Sequence, residues 1–496
     1  MREAVATTAA PPVTAGAAPR FAIGPLLLIA VVFGAVHLAV SPFGGYWIDE
    51  VYMLAIGRYH PDWGYVDQPP LAPLLAGAME WLAPNSTLVL RIPAVLISAS
   101  GVLLAGLLAH ELGGDRRGQV LAGLAHATGL WVSLVAHWIT PYTLEVPLWM
   151  LACWLLVRWC RQHADGRADD RLLLALGVVI GVTMQVKVHV AVLCAALLGC
   201  LLVFGPRDLL RRPMFWGCAG IALVIAAPTL IWQAAHGWPQ LAMSEVVRAE
   251  TPVLSGGRPG AATQMVLYAG VLGAPLCVFG VARLLRAEEF RPYRFIGAAA
   301  LVQYVFYIAA SGRPYYVIGM YGVLVAAGAV GFQRRREARA RAGTRGRGWI
   351  AWSAGVLAVL AAGGVVWMSM AVTTAFGVPA DRALARDVSA AYRALPAATR
   401  EHTAVVGESY ILAAMLDAHS DEYGLPLAHS GHRGYGPFGP PPESARDVLF
   451  VGGDPAPWRA HFAEVRGVGG SDVPVWLLSG REEPWARVWE QVRSLR

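Results

Sequence analysis

Two short acidic segments follow the first long apolar run of this chain. The first reads Tyr46-Trp47-Ile48-Asp49-Glu50-Val51-Tyr52 and the second Gly64-Tyr65-Val66-Asp67-Gln68-Pro69-Pro70-Leu71. Carboxylates so close to a hydrocarbon boundary are costly unless they face water or perform chemistry. One of them could act as a general base, deprotonating an acceptor at the membrane surface; the alternative is that Asp49 and Glu50 cap or solvate the end of the first span. Lys187, the only lysine of the chain, lies inside an apolar stretch. A compact ammonium kept in a chain that otherwise uses arginine suits an anion-binding role, against the alternative of a side chain snorkelling at a helix end. Arg313, with Tyr315 and Tyr316, opens a later span, where a guanidinium and phenols could bind phosphate oxygens or simply anchor the interface.

The elements that must hold these residues are membrane helices. Of 496 residues, 56% are hydrophobic and 15% charged, and the mean hydropathy is +0.49. Apolar runs recur at 21–40, 88–110, 118–136, 142–160, 172–186, 188–204, 214–233, 262–284, 295–311, 314–332 and 349–370. The fold class is therefore a polytopic α-helical membrane protein with about eleven transmembrane helices. The run 21–40 exceeds a usual signal-peptide core and reads as a retained helix, and the weakest assignment is 172–204, where two short spans share Lys187. Alternate connections carry the arginines, most densely from Arg334 to Arg347. The positive-inside rule places these connections and the N-terminus in the cytoplasm. Loop 41–87, loop 234–261 and everything after 371 then lie outside.

Residues 1–20 read as a disordered tail, 21–372 as the transmembrane domain, 333–348 as a basic linker and 378–496 as an extracytoplasmic α/β domain of ordinary size. In that last part 383–395, 410–419 and 485–495 carry helical patterns, and 403–407, 447–451 and 473–478 strand patterns. Loop 41–87 is turn-rich, and its stretch 71–83 could lie as an apolar helix on the membrane surface. The six cysteines sit in or beside apolar segments without metal-ligand spacing, so neither a disulfide framework nor a metal site is expected. The net charge of +7 comes almost entirely from arginines that flank spans, which excludes a nucleic-acid groove.

Segment 46–71 resembles the first luminal loop of the GT-C membrane glycosyltransferases, specifically family 39, the protein-mannosyltransferase-like group with its ArnT-like bacterial members. Further elements match in order: Thr143-Leu144-Glu145, Gly181 through Lys187, His236-Gly237-Trp238-Pro239, Arg313-Pro314-Tyr315-Tyr316, then Gly424-Leu425-Pro426 and Ser430-Gly431-His432 through Gly439-Pro440-Pro441. Two departures lie in the terminal domain, where Glu408-Ser409-Tyr410 replaces an Asn-Tyr-Gly-Glu pattern and Arg433 follows His432 in place of Asn.

The resemblance implies an enzyme that takes a hexose or pentose from a polyprenyl-phosphate donor outside the membrane. It passes the sugar, with inversion, to an envelope protein, lipid or glycan, without metal or other cofactor. On that reading Asp49 is the expected base, Glu50 positions it or the acceptor, and Asp67 supports it. Lys187, Arg313, Tyr315 and Tyr316 would meet the donor phosphate. Tyr46, Tyr65, Glu145 and His432 are candidate substrate contacts, and His189 is expected in a satisfied polar contact. Arg248 and Glu250 could reach the site, but nothing in the sequence separates them from solvated loop charges. A transporter or flippase for a lipid-linked precursor is the alternative; the lack of internal repeats and the gathering of charge at one face count against it. A catalytically silent relative that binds envelope polymer is a third reading.

Overall fold

A computed structural model describes residues 19–344, 348–375 and 381–495. The expected tail lies outside the described residues but for Pro19 and Arg20, as do Arg345, Arg347 and the start of the terminal domain at 378. The chain runs through α1 (Ile23–Val40), α2 (Ile48–Tyr59), α3 (Leu71–Leu82), α4 (Thr87–Glu111), α5 (Arg116–Ala127), α6 (Leu130–Val135) and α7 (Pro141–Ala164). It continues through α8 (Arg171–Met184), α9 (Val190–Phe204), α10 (Pro213–Ala235), α11 (Pro239–Ser255), α12 (Gly257–Leu267), α13 (Gly270–Arg286), α14 (Arg294–Ala309), α15 (Tyr321–Arg341) and α16 (Gly348–Ala375).

Among the described residues six helices are long and apolar enough to cross a bilayer singly. They are α1, α4, α7, α10, α16 and α15 with the 3-10 turn Pro314–Met320 before it. A seventh crossing is possible if α12 and α13, which meet at a 99° bend, form one span. The other expected spans are short or broken. Run 118–136 divides into α5 and α6 around Gly129, and α8, α9 and α14 have 14, 15 and 16 residues. At about 1.5 Å per residue each of those falls short of a hydrocarbon core about 30 Å thick. The apolar faces explain the bundle: Leu26, Ala30 and Phe33 of α1 are buried with Val102 and Ala105 of α4, while Leu28 and Val31 face outward.

Three segments expected as loop or linker are helical. The 41–87 loop holds α2, whose acidic first turn precedes the apolar run Val51–Ile56, all buried. Negative charge in a first turn offsets the helix dipole. Segment 234–261 forms α11 and the start of α12, and the basic stretch after 333 continues α15 to Arg341, since Arg, Ala and Glu are good helix formers. The apolar helix expected at 71–83 is α3. It packs on α2 backbone to backbone: a Cβ on Gly57 would stand 1.8 Å from the Pro73 carbonyl oxygen.

The terminal part begins with α17 (Asp381–Ala394) and has a four-stranded sheet, β1 (Thr403–Gly407), β2 (Asp447–Val451), β3 (Phe462–Gly469) and β4 (Val475–Arg481). The strand order is β1-β2-β4-β3, with β1 and β2 parallel and the other pairs antiparallel. Side chains alternate between two faces, as the strand period of two requires. Val405, Leu449 and Val475 face helix Tyr410–Ala418, α17 and α2; Val406, Phe450 and Leu478 face Trp485 and Trp489. β3 was not expected from the sequence. It is an edge strand, exposed along most of its length and charged at Glu464 and Arg466, so it lacks an apolar alternation.

Candidate active site

Glycines 44 and 45, both at positive φ, turn the chain out of α1 and into α2. Asp49 and Glu50 then lie on the first turn of α2 with opposite surroundings. Glu50 is fully buried and pairs with Arg91 of α4 at 2.7 Å. Arg91 also donates to the carbonyls of Ser41 and Gly45, each at 2.6 Å, and the Ile139 amide donates to Glu50 at 3.1 Å. These bonds clamp the start of α2 to α4 and to the turn before α7. Both oxygens of Glu50 are thereby engaged within the protein.

Asp49 is left to face the other way. Its carboxylate accepts from the Tyr142 hydroxyl at 3.1 Å, and that hydroxyl accepts from Trp47 Nε1 at 2.6 Å. Aromatic rings wall this side: Trp47 stacks on Trp138 at 4.6 Å, Trp131 on Tyr315 at 4.5 Å, and Tyr315 lies 5.2 Å from Tyr142. Burial raises the affinity of Asp49 for its proton, against the Tyr142 hydrogen bond and the charges of Lys187, Arg313 and Arg433. Asp67 accepts from the Tyr52 hydroxyl at 3.0 Å, one turn of α2 beyond Asp49. Burial pushes it up to about 6, opposed by the Tyr52 bond and by Lys187.

The loop that carries Asp67 is stitched to the end of α8, just before Lys187, and to α10. Leu71 donates to the Gln185 carbonyl at 2.9 Å, Thr229 donates to the Trp63 carbonyl at 3.0 Å, and Gln233 donates to the Tyr65 carbonyl at 2.9 Å. Lys187 sits in the break between α8 and α9, 5.8 Å from the Tyr316 ring centroid, and its charge acts on Asp49, Asp67 and Glu145. Among the described residues it has no ion-pair partner.

Arg313 pairs with Glu250 of α11, and the second oxygen of Glu250 pairs with Arg433. Glu250 thus separates from its neighbour Arg248, which is exposed. Arg433 lies 5.4 Å over the Tyr410 ring, and its charge acts on Asp49 and Asp67. Three carboxylates and three cations from separate elements therefore share one locality.

The remaining candidates are dispersed. Glu145 is buried with one carboxylate oxygen lacking a partner, within reach of the Lys187 charge. His432 packs on Tyr410, whose amide donates to its Nδ1 at 3.4 Å. Tyr46 faces His419 at 5.9 Å, and the Tyr65 hydroxyl donates to the His60 carbonyl at 2.9 Å within its own loop. Neither tyrosine is brought to Asp49. His189 differs from its expectation: its ring packs 3.8 Å from Tyr316, and its buried Nδ1 has no hydrogen-bond partner.

Sequence reasoning passed over Arg91, Tyr52 and Tyr142, and marked Arg433 only as a departure from the family pattern. Arg91 carried a signal, being an arginine inside an apolar span, where ionisable groups mark paired or functional positions. Tyr52 and Tyr142 carried none that distinguishes them from interfacial tyrosines.

Residues 67–232 match the protein family described as dolichyl-phosphate-mannose-protein mannosyltransferase. No curated protein sequence matches the chain. Among solved structures, ArnT from Cupriavidus metallidurans in the apo state aligns over 91% of this chain and 97% of its own, with TM-score 0.63 and 16% identity. The same protein bound to undecaprenyl phosphate aligns over 92% and 98%, with TM-score 0.62 and 17% identity. The archaeal oligosaccharyltransferase AglB from Archaeoglobus fulgidus, in complex with an inhibitory peptide and a dolichol-phosphate, aligns over 82% of this chain and 64% of its own. Its TM-score is 0.52 and its identity 13%. The shared fold is the ArnT-like GT-C fold, with the small sheet domain at the C-terminal end.

Proposed function

We infer, from the GT-C fold and the match of residues 67–232 to the mannosyltransferase family, that this chain is a membrane glycosyltransferase that transfers sugar from a polyprenyl-phosphate donor to a cell-envelope acceptor. The reaction takes place at the extracytoplasmic face; the arginine-rich connections on the opposite side support that orientation of loop 41–87 and the terminal domain. The observation that carries this reading is the position of Asp49 within the fields of three cations from separate elements, Lys187, Arg313 and Arg433. Asp49 is a half-buried residue with a hydrogen-bonded carboxylate, and the charge of Lys187, which has no ion-pair partner among the described residues, acts on it.

In the reaction the acceptor hydroxyl gives its proton to Asp49 as its oxygen bonds to the anomeric carbon. The bond from that carbon to the phosphate oxygen breaks, and the electron pair leaves with the polyprenyl phosphate. A single displacement from the face opposite the phosphate inverts the anomeric centre. Lys187 and Arg313 offset the charge that develops on the leaving phosphate, with Tyr315 and Tyr316 beside them, and fixed cations in a site poor in water are effective in that role. Asp67 balances Lys187 and supports Asp49 through Tyr52, which stands on the helix that carries Asp49. The polyprenyl phosphates held by ArnT and AglB support a donor of this class.

The test is Asp49→Asn in the full-length protein, assayed for transfer from a polyprenyl-phosphate sugar to envelope acceptors. Loss of a general base costs about 100-fold or more in rate. Transfer at the wild-type rate by a folded variant would remove Asp49 as the base.

A further inference from the structure

Glu250 holds two guanidiniums from distant parts of the chain, one on each carboxylate oxygen. The guanidiniums are the more buried partners, with side chains 12% and 16% exposed against 29% for Glu250. The carboxylate therefore sits on the outer side of a preformed cationic cleft. It does not satisfy that cleft: Arg313 Nη1 and Arg433 Nε are buried without hydrogen-bond partners. Only Glu250 pairs with them directly, while Asp49 and Asp67 act on Arg433 through charge alone. A phosphate has more acceptor oxygens and more charge than a carboxylate, and arginine forks bind it through paired hydrogen bonds.

The two partners are anchored unequally. Arg433 is fixed: its amide donates to the Ser494 carbonyl at 2.7 Å, and its backbone is held at φ 46, a costly conformation for a residue with a Cβ. Glu250 rides on α11, where only Val246, Thr251 and Ser255 are buried and whose two ends turn through left-handed residues, Trp238 and Gly256. Such a helix has little packing to lose if it shifts.

We propose that Arg433 of the terminal domain binds the donor phosphate together with Arg313, and that Glu250 occupies the phosphate's place until the donor displaces it. The proposal rests on the polyprenyl-phosphate reading above and adds a residue that departs from the family pattern. Glu250 keeps the two guanidiniums neutralised and aligned in the empty site. Donor arrival moves the carboxylate, and α11 with it, towards solvent.

Binding of undecaprenyl phosphate to the full-length protein in lipid nanodiscs tests this, with thermal melting to verify folding. Removing a charge-assisted hydrogen-bond donor in Arg433→Ala weakens binding by about tenfold or more, and removing the competing carboxylate in Glu250→Gln tightens it by about tenfold. Lys187→Ala serves as the reference for the proposed donor site and also weakens binding. Failure of the wild-type protein to bind undecaprenyl phosphate would overturn the donor reading itself. Wild-type binding with undiminished affinity in Arg433→Ala overturns the role of Arg433, and unchanged or weaker binding in Glu250→Gln overturns the displacement. If Arg433→Ala does not fold, Arg433→Lys, which keeps the charge but loses the fork, decides: affinity equal to wild type rejects the proposal.

Discussion

Two adjacent carboxylates have unlike fates because successive helical positions point about 100° apart. Glu50 turns inward to Arg91, while Asp49 turns to Tyr142 and the cations. For Asp67, burial sets the ionisation near pH 6. If its carboxylate form supports transfer, the rate falls as pH drops through about 6, and a pH–rate profile of Asp67→Asn loses that acid limb. A limb unchanged in the variant would detach Asp67 from the reaction. The effect on folding runs the other way. The folded chain holds the Asp67 proton more tightly than an unfolded carboxyl near 3.8, so ionisation costs stability as pH rises from about 4 to about 6. Asp49, Asp67 and Lys187 were legible in the sequence because an ionisable group in an apolar setting is conspicuous by itself. Arg433 was not, since its meaning depends on Glu250, and nothing local links residues 183 positions apart.

Among the elements, α2 is the part that the site cannot lose. It carries Asp49 and Tyr52 on one side and lies against α3 through Gly57 and Gly77, where side chains beyond hydrogen do not fit. Gly57→Leu forces the helices apart; a cost of about 1–3 kcal/mol is usual for overpacking, and a lower melting temperature with reduced transfer is expected. Wild-type melting and activity would show that the contact yields freely. Most long apolar helices were legible because a membrane span imprints its length on the sequence. The helix over 48–59 was hidden by the glycines and prolines on either side of it, and α11 by charges scattered along its exposed surface. The broken spans α5–α6 and α12–α13 read as continuous, since hydropathy records apolar length and not direction.

At the scale of the molecule, the terminal domain packs directly on the helix that presents Asp49. Tyr52 meets Tyr410 at 4.9 Å, Arg58 bonds Asp421 at 2.5 Å, and Gly434 approaches so closely that a Cβ there would lie 1.8 Å from the Tyr52 hydroxyl. That hydroxyl is the one that donates to Asp67. Gly434→Val is therefore expected to lower transfer at least about tenfold by displacing Tyr52, as a misplacement of about 1 Å near a reacting centre does. The sheet should remain folded by circular dichroism, and full activity would show that the domain is only an appendage. Three of the domain's four strands were readable from the sequence, but its seat on α2 was not, because a docking face made of tyrosine, glycine and arginine has no period. Arg433 also sets an order in time. Chains fold from the N-terminus as they are made, so Asp49 reaches the membrane long before its distant cation is synthesised. If Asp49 and Arg433 have the proposed roles, a nascent chain would hold the base without the full anion cleft, and sugar transfer would begin only once the sheet domain had been delivered and seated.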